Sequence, residues 1–410
     1  MRLAVFTSKY PARVSTFFER DMRALIEAGV DVEVFPIYPL DPEMWRYTPG
    51  VLGEEVLPRN KIHHLNLAQS LRKAAPGASL RLGRCLADAA GAGVSALRYG
   101  PAPLAKTGYV LPKAWAWAQE ARAGDYDHVL AYWGNYAATC AYAFHRQLRR
   151  EVPFSIWLHA GADLYETPVY LRRKLLYADR IVTCCAFNRK FLEERYADIF
   201  PAISDKISVR YHGIDFADFP YRPEGRNARK VVAVGRLARE KGFDYLLRAA
   251  AALAERGAGV EVELVGDGPE LGALKALAVE LGIARRVTFR GWLPFKEVQR
   301  AMLEAALLVH PSDGLGDGLP NVIREAMALG TPVIASRVAG IPEALDGGRC
   351  GLLVPPKDTR ALADAVETLL ADAAQRRAFA DAARRLAEEK FDMWRNGKSL
   401  ADELRTVARA

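Results

Sequence analysis

The sequence predicts an α/β protein made of two Rossmann-like, doubly wound domains. Three observations carry that expectation. Short apolar runs alternate with helical stretches along both halves of the chain. In the second half each run empties into a loop containing glycine or proline and then into a helix. Between the halves lies a polar stretch, 219–229 (FPYRPEGRNAR), with two prolines and a glycine, which reads as a linker. The expected units are therefore 1–218 and 229–390, with a C-terminal helix, 391–410, packing back on the first. At 410 residues, 50% hydrophobic and 26% charged, the chain has the material for two cores.

Taken in order, LAVFTS is the first strand, and FFERDMRALIEA (17–28) follows with helical periodicity and ends at Gly29, a C-cap residue. VDVEVFPI alternates as a second strand, so the chain opens with a βαβ unit and a parallel sheet. Residues 41–124 are less regular. HVLAYW, FSIWLH, RIVTCC and ISVRYH then supply four more strands, and KVVAVG, VEVELVG, RVTFRG, LLVHPS, TPVIAS and GLLVP supply the six strands of the second unit. From Thr359 onward the chain is helical and highly charged.

No stretch reaches the roughly 20 apolar residues of a membrane span. The start, MRLAVFTSKYP, lacks a small-residue cleavage site and reads as a strand, so a cytoplasmic location is expected. The cysteines, Cys85, Cys140, Cys184, Cys185 and Cys350, are odd in number and form no C-x-x-C pair. They read as reduced, mostly buried thiols and not as a zinc site. Cys184 and Cys185 would point to opposite faces of a strand. The net charge is +8, and most of it falls between Asn66 and Gly124, where eight basic residues face two acidic ones. That stretch also carries Tyr99, Tyr109, Trp115 and Trp117. It is either a solvated helical face or a surface for an anionic partner such as a lipid bilayer or lipid diphosphate. Nucleic acid is not expected as a partner.

Ligands of doubly wound sheets bind outside the carboxyl ends of the strands, and the informative motifs lie there. The segment 311–332 (PSDGLGDGLPNVIREAMALGTP) places Gly314, Gly316, Gly318 and Pro320 ahead of a helix, Asn321 to Leu329. The free amides and dipole of that helix suit a diphosphate. Glu325 lies one turn inside, and helical side chains lean toward the N-terminus, so its carboxylate can reach a ligand there. Asp317 stands in the loop, eight positions earlier. After KVVAVG come Gly235, Arg236 and Lys241, two cations at a strand's carboxyl edge. Asp125-Tyr126-Asp127 has the D-x-D form that binds metal elsewhere, but it precedes a strand at the wrong edge of the sheet.

These motifs together resemble the retaining family-4 glycosyltransferases of the GT-B fold, in the exopolysaccharide or colanic-acid type of branch. The hallmark is the pair of acids separated by seven residues, Asp317 and Glu325. The first is an aspartate where most members carry glutamate. The resemblance implies that Glu325 holds the nucleotide ribose, that Asp317 faces the donor sugar, and that Arg236 and Lys241 neutralise the donor diphosphate. Gly235, Gly266, Arg290, Gly318, Leu319, Pro320, Asn321 and Val322 complete the implied donor site. The segment WLHAGAD is similar to the family's H-G-x-D, which implies that His159 hydrogen-bonds the donor sugar from across the cleft between two facing domains. His212, in YHGID, reads as a structural joint. Tyr10 to Phe17 resembles the exopolysaccharide branch. There Ser15 or Thr16 either caps the first helix or, with Arg13, contributes to an acceptor or donor phosphate site. The implied activity is transfer of a hexose from a nucleotide sugar to a saccharide or polyprenyl-linked acceptor, with retention and without metal or other cofactor. A nucleotide-sugar epimerase or an inactive sugar-nucleotide-binding protein are the alternatives.

Overall fold

The computed structural model describes residues 1–13, 15–47, 55–74, 82–121, 125–148 and 151–409. They form two units, 1–212 with 393–410, and 213–392.

The first unit holds a parallel sheet of β1 (Arg2–Thr7), β2 (Asp31–Pro36), β3 (His128–Ala131), β4 (Phe154–Leu158), β5 (Arg180–Thr183) and β6 (Ile207–Val209), in the order β2-β1-β3-β4-β5-β6. β1 is registered on both neighbours, Val5 opposite Val34 and Leu130. The strands are nearly all apolar because both faces are covered. Ala4 and Phe6 join Val110, Ala114 and Phe144 of the helices Pro101–Glu120 and Tyr136–His145 on one side. Leu3 and Val5 join Phe18, Met22 and Leu25 of the helix Thr16–Glu27 on the other, together with Leu400 and Leu404 of the helix Met393–Arg409.

The second unit repeats the plan with β7 (Asn227–Val234), β8 (Glu261–Val265), β9 (Val287–Gly291), β10 (Ala305–His310), β11 (Val333–Ser336) and β12 (Leu352–Val354), in the order β12-β11-β10-β7-β8-β9. Every residue of β10 is buried. One face of this sheet packs on the helices Phe243–Glu255 and Thr359–Ala371 through residues such as Leu247, Val262, Val309 and Val366.

Three sequence expectations change here. The stretch 219–229 is part of the second unit. Arg226 donates to the carbonyls of Met302 (2.6 Å), Ala305 (3.0 Å) and Leu329 (3.0 Å), the orphan acceptors at two helix ends. The backbone of Arg222 also bonds Leu329, and β7 begins within the stretch, so the division falls after His212. β5 ends at Thr183, so Cys184 and Cys185 turn into the helix Ala186–Arg195 and do not face opposite sides of a strand. All five cysteines are buried. Finally, Trp117 is core, edge-on to Phe6 and Phe35, and Trp115 and Tyr109 are half-buried, because this side of the helix Pro101–Glu120 faces the sheet. Of the basic residues in that region, Arg81 and Arg122 lie outside the described residues.

Candidate active site

In the second unit the chain steps outward from β7 to β8 and β9, then returns to lay β10 on the other side of β7. At that reversal the loops leaving β7 and β10 diverge to opposite faces, which opens a crevice at their carboxyl ends. Both sequence-predicted charge clusters sit on these two loops.

The first loop runs from Gly235 through a turn at Arg239–Lys241 to Gly242, which starts the next helix. Gly242 has φ +64°, and a Cβ there would stand 2.1 Å from the carbonyl oxygen of Pro311 in the second loop. The second loop is tied to the first: Ser312 Oγ and the Asp313 amide both donate to the Glu240 carbonyl, at 2.8 and 3.1 Å. This register brings Lys241 Nζ onto Asp317 Oδ1. The other oxygen of Asp317 meets His310 Nε2 at 2.7 Å. All three groups are largely buried: the side chains of Asp317 and His310 are 5% and 1% exposed, that of Lys241 18%. Burial works against the Asp317 charge, but His310 and Lys241 outweigh it and hold the carboxyl well below the usual carboxylate range. Arg236 extends into solvent and pairs with Glu240 at 2.7 Å. Burial raises the Glu240 carboxyl and Arg236 outweighs it, so the pKa is lowered. Each cation of the site thus has a carboxylate partner within the two loops.

Asp317 is followed by Gly318, whose carbonyl accepts from Gly340, and by buried Leu319 and Pro320. The helix Asn321–Leu329 then begins, with proline as its N-cap and no side-chain cap on its first amides. Asn321 Oδ1 accepts from Arg324. Val322 is half-buried, and Glu325 is buried one turn in. Gly266, at the end of β8, packs beside Gly235 and donates its amide to Gly291. Arg290 lies on β9 and its guanidinium is bound to Glu263 of β8 at 2.9 Å, so this side chain is engaged on the sheet. Sequence reasoning missed His310. Its signal was a polar residue closing an apolar strand at the carboxyl edge.

The first unit reverses between β1 and β3. Around that point Phe17, Trp133 and His159 cluster, with His159 at the end of β4 and its ring 4.3 Å from Trp133 and 4.9 Å from His212. Asp163 accepts the amides of His159 and Asn135, both at 2.8 Å, and so fastens the ends of β3 and β4. The buried His159 ring nitrogens find no hydrogen-bond partner among the described residues. His212 is anchored by Asp21 at 2.6 Å, which raises its pKa although burial acts the other way. Ser15 does not cap the helix amides. Its hydroxyl donates to Glu19 at 2.7 Å. Thr16 opens the helix half-buried, and Arg13 is exposed over the Tyr47 ring.

Asp127 of the D-x-D segment accepts the Arg2 amide at 2.9 Å. Among the described residues no group of three or more His, Cys, Asp or Glu is placed to hold a metal ion, and no helix is long and apolar enough to cross a membrane.

Residues 228–372 match the model of a family described as glycosyl transferases group 1. The alpha-D-kanosaminyltransferase of Streptomyces kanamyceticus is 35% identical over 276 residues, covering 62% of this chain and 71% of the relative. The amylovoran biosynthesis glycosyltransferase AmsK of Erwinia amylovora is 27% identical over the whole of both chains. Two solved structures share the fold: HepE of Anabaena, in complex with UDP (TM-score 0.72, 18% identity, 99% of each chain), and the sucrose-phosphate synthase of Thermosynechococcus elongatus (TM-score 0.74, 20% identity, 99% of each chain). The two parallel-sheet, Rossmann-like domains are those of GT-B structures.

Proposed function

Because the chain belongs to the group 1 glycosyl transferases, we propose that it retains anomeric configuration, needs no metal or other cofactor, and takes its sugar from a nucleoside diphosphate bound on the second unit. The acceptor we assign is a saccharide or a polyprenyl-linked saccharide, in cell-surface polysaccharide or glycolipid biosynthesis, with the enzyme peripheral to the inner face of the membrane. AmsK, named for amylovoran biosynthesis, supports the polysaccharide reading by similarity along its full length.

The observation that carries the donor reading is the meeting of Lys241 and Asp317 at the reversal of the sheet, ahead of the Asn321–Leu329 helix. A diphosphate at that helix start receives its first amides and draws Lys241 and Arg236 from their carboxylate partners. As the bond between the sugar's anomeric carbon and the diphosphate oxygen lengthens, negative charge grows on the leaving group. These cations and amides then stabilise it. Asp317 is assigned to the donor sugar, Glu325 to the ribose and His159, from the first unit, to a sugar hydroxyl.

Calorimetric titration with uridine and guanosine diphosphates and their sugars tests this. Native protein is expected to bind a nucleotide sugar, and Glu325→Gln to weaken it about ten- to a hundredfold, the value of a charge-assisted hydrogen bond. Product NMR should show the donor's anomeric configuration kept, and turnover should survive EDTA. An unchanged Kd in the variant removes Glu325 from the donor site. Loss of turnover in EDTA that manganese restores refutes the metal-independent mechanism.

A further inference from the structure

Twelve large hydrophobic side chains are exposed among the described residues, and seven of them fall between Leu67 and Leu104. The concentration is strongest on the helix Leu82–Leu97. Its inward face is Cys85, Asp88, Ala92 and Ala96, all buried. On the opposite side stand Leu86, Val94 and Leu97, each about 59% exposed and spaced at i, i+8 and i+11, so they form one stripe. Leu104 of the following helix widens it, with Cδ1 3.9 Å from where a Cβ on Gly93 would stand, and Tyr99 lies exposed in the turn between the helices.

Along these two helices the exposed charges between Leu82 and Gln119 have one sign. Between Leu82 and Gln119 the sequence has a single acidic residue, Asp88. It is turned inward onto Arg146 and Tyr142, both at 3.0 Å. Exposed Arg84 and Arg98 bracket the apolar stripe at its two ends. An outward face that is apolar at its centre, cationic at its ends and without an exposed carboxylate between Leu82 and Gln119 matches an anionic lipid surface. There the aliphatic groups enter the acyl boundary and the arginines stay at headgroup level. A second copy of the chain fits poorly, since a two-fold interface on this face would set arginine against arginine.

We propose that this face, centred on Leu86, Val94, Leu97 and Leu104, docks the protein on an anionic bilayer. It rests on the peripheral membrane placement in the proposed function, for which it names the docking face, and it uses none of the residues assigned to transfer.

The test is sedimentation of the full chain with vesicles of phosphatidylglycerol and phosphatidylcholine, and with phosphatidylcholine alone. Native protein is expected in the pellet with the anionic vesicles. Leu86→Gln with Leu97→Gln should lower the partition coefficient at least about tenfold while leaving the melting temperature unchanged. Arg84→Gln with Arg98→Gln should erase the preference for anionic over neutral vesicles. Native protein left in the supernatant, or a leucine variant that sediments like native, overturns the proposal. So does light scattering that shows a dimer which the leucine variant dissociates. Transfer to a short, lipid-free acceptor is measured alongside and should be equal in native and leucine variant. Its absence in both counts against the transferase reading, while the vesicle result still judges the docking face.

Discussion

Asp317 is a buried carboxylate kept charged by two neighbours, His310 and Lys241. Its folded-state pKa lies below the ordinary value of 3.8, so its charge stabilises the native state above that value and the contribution fades as pH falls below it. Asp317→Asn should therefore destabilise the protein at neutral pH by on the order of 3 kcal/mol, since it strands a largely buried lysine. Urea unfolding should show the gap to native shrinking at about pH 3. A gap that is the same at both pH values refutes the coupling. Glu19 behaves in the opposite sense. Burial outweighs the hydrogen bonds from Ser15 and Tyr10 and raises it from 4.5 to about 7. The protonated form suits the fold, so its stabilisation is full below 4.5 and is lost as pH rises to about 7. Glu19→Gln should flatten that part of the stability curve and make the variant the more stable form at about pH 8. A curve parallel to native would show that Glu19 ionises normally.

At the scale of elements, all twelve strands among the described residues are legible in the sequence, because a parallel sheet covered on both faces requires compact apolar runs such as AALLVH and RLAVFT. The helix Asn321–Leu329 was equally plain, bounded by Pro320 and Gly330. Strand order is what the runs conceal. His310 acquires meaning only when the loop after β10 folds Asp317 back onto its ring and the neighbouring β7 brings Lys241 to the same carboxylate, and nothing in the one-dimensional pattern announces that neighbour. The stretch 219–229 misled for a related reason. Its prolines and glycine mark irregular backbone, but Arg226 pins that backbone to distant carbonyls. The register between the two site loops depends on Gly242, whose positive φ and contact with the Pro311 carbonyl leave no space for a side chain. Gly242→Ala should cost more than about 1 kcal/mol and weaken donor binding together with stability, because the displaced turn carries Lys241. Calorimetric Kd and urea unfolding would both have to move, and a variant with native stability contradicts the packing described.

At the scale of the molecule, the first unit is assembled from two segments far apart in sequence, since the chain leaves it after His212 and returns at Met393. The returning helix is bound into that unit's core. Leu400, Ala401 and Leu404 are buried with Met22 and Leu25, and Gly397 packs so closely on Ala24 that a Cβ would stand 2.3 Å from it. Glu403 accepts from Arg210 at 2.7 Å and lies 2.6 Å from Arg180 in an ion pair, and Arg405 reaches the Ala28 carbonyl at the end of the first helix. The helix therefore supports β1, β2 and the helix Thr16–Glu27, whose start adjoins His159 through Phe17. Leu404→Ala should cost about 2–5 kcal/mol, the usual range for a leucine removed from a closed core. Hydrogen exchange gives the discriminating readout, because local opening draws on local packing. Amide protection is expected to fall in 16–27 and 31–36 and to hold in 305–310 and 321–329, which share no core with Leu404. Equal loss of protection in both units would mean that the chain opens as one cooperative body and that the returning helix is not the private support of the first.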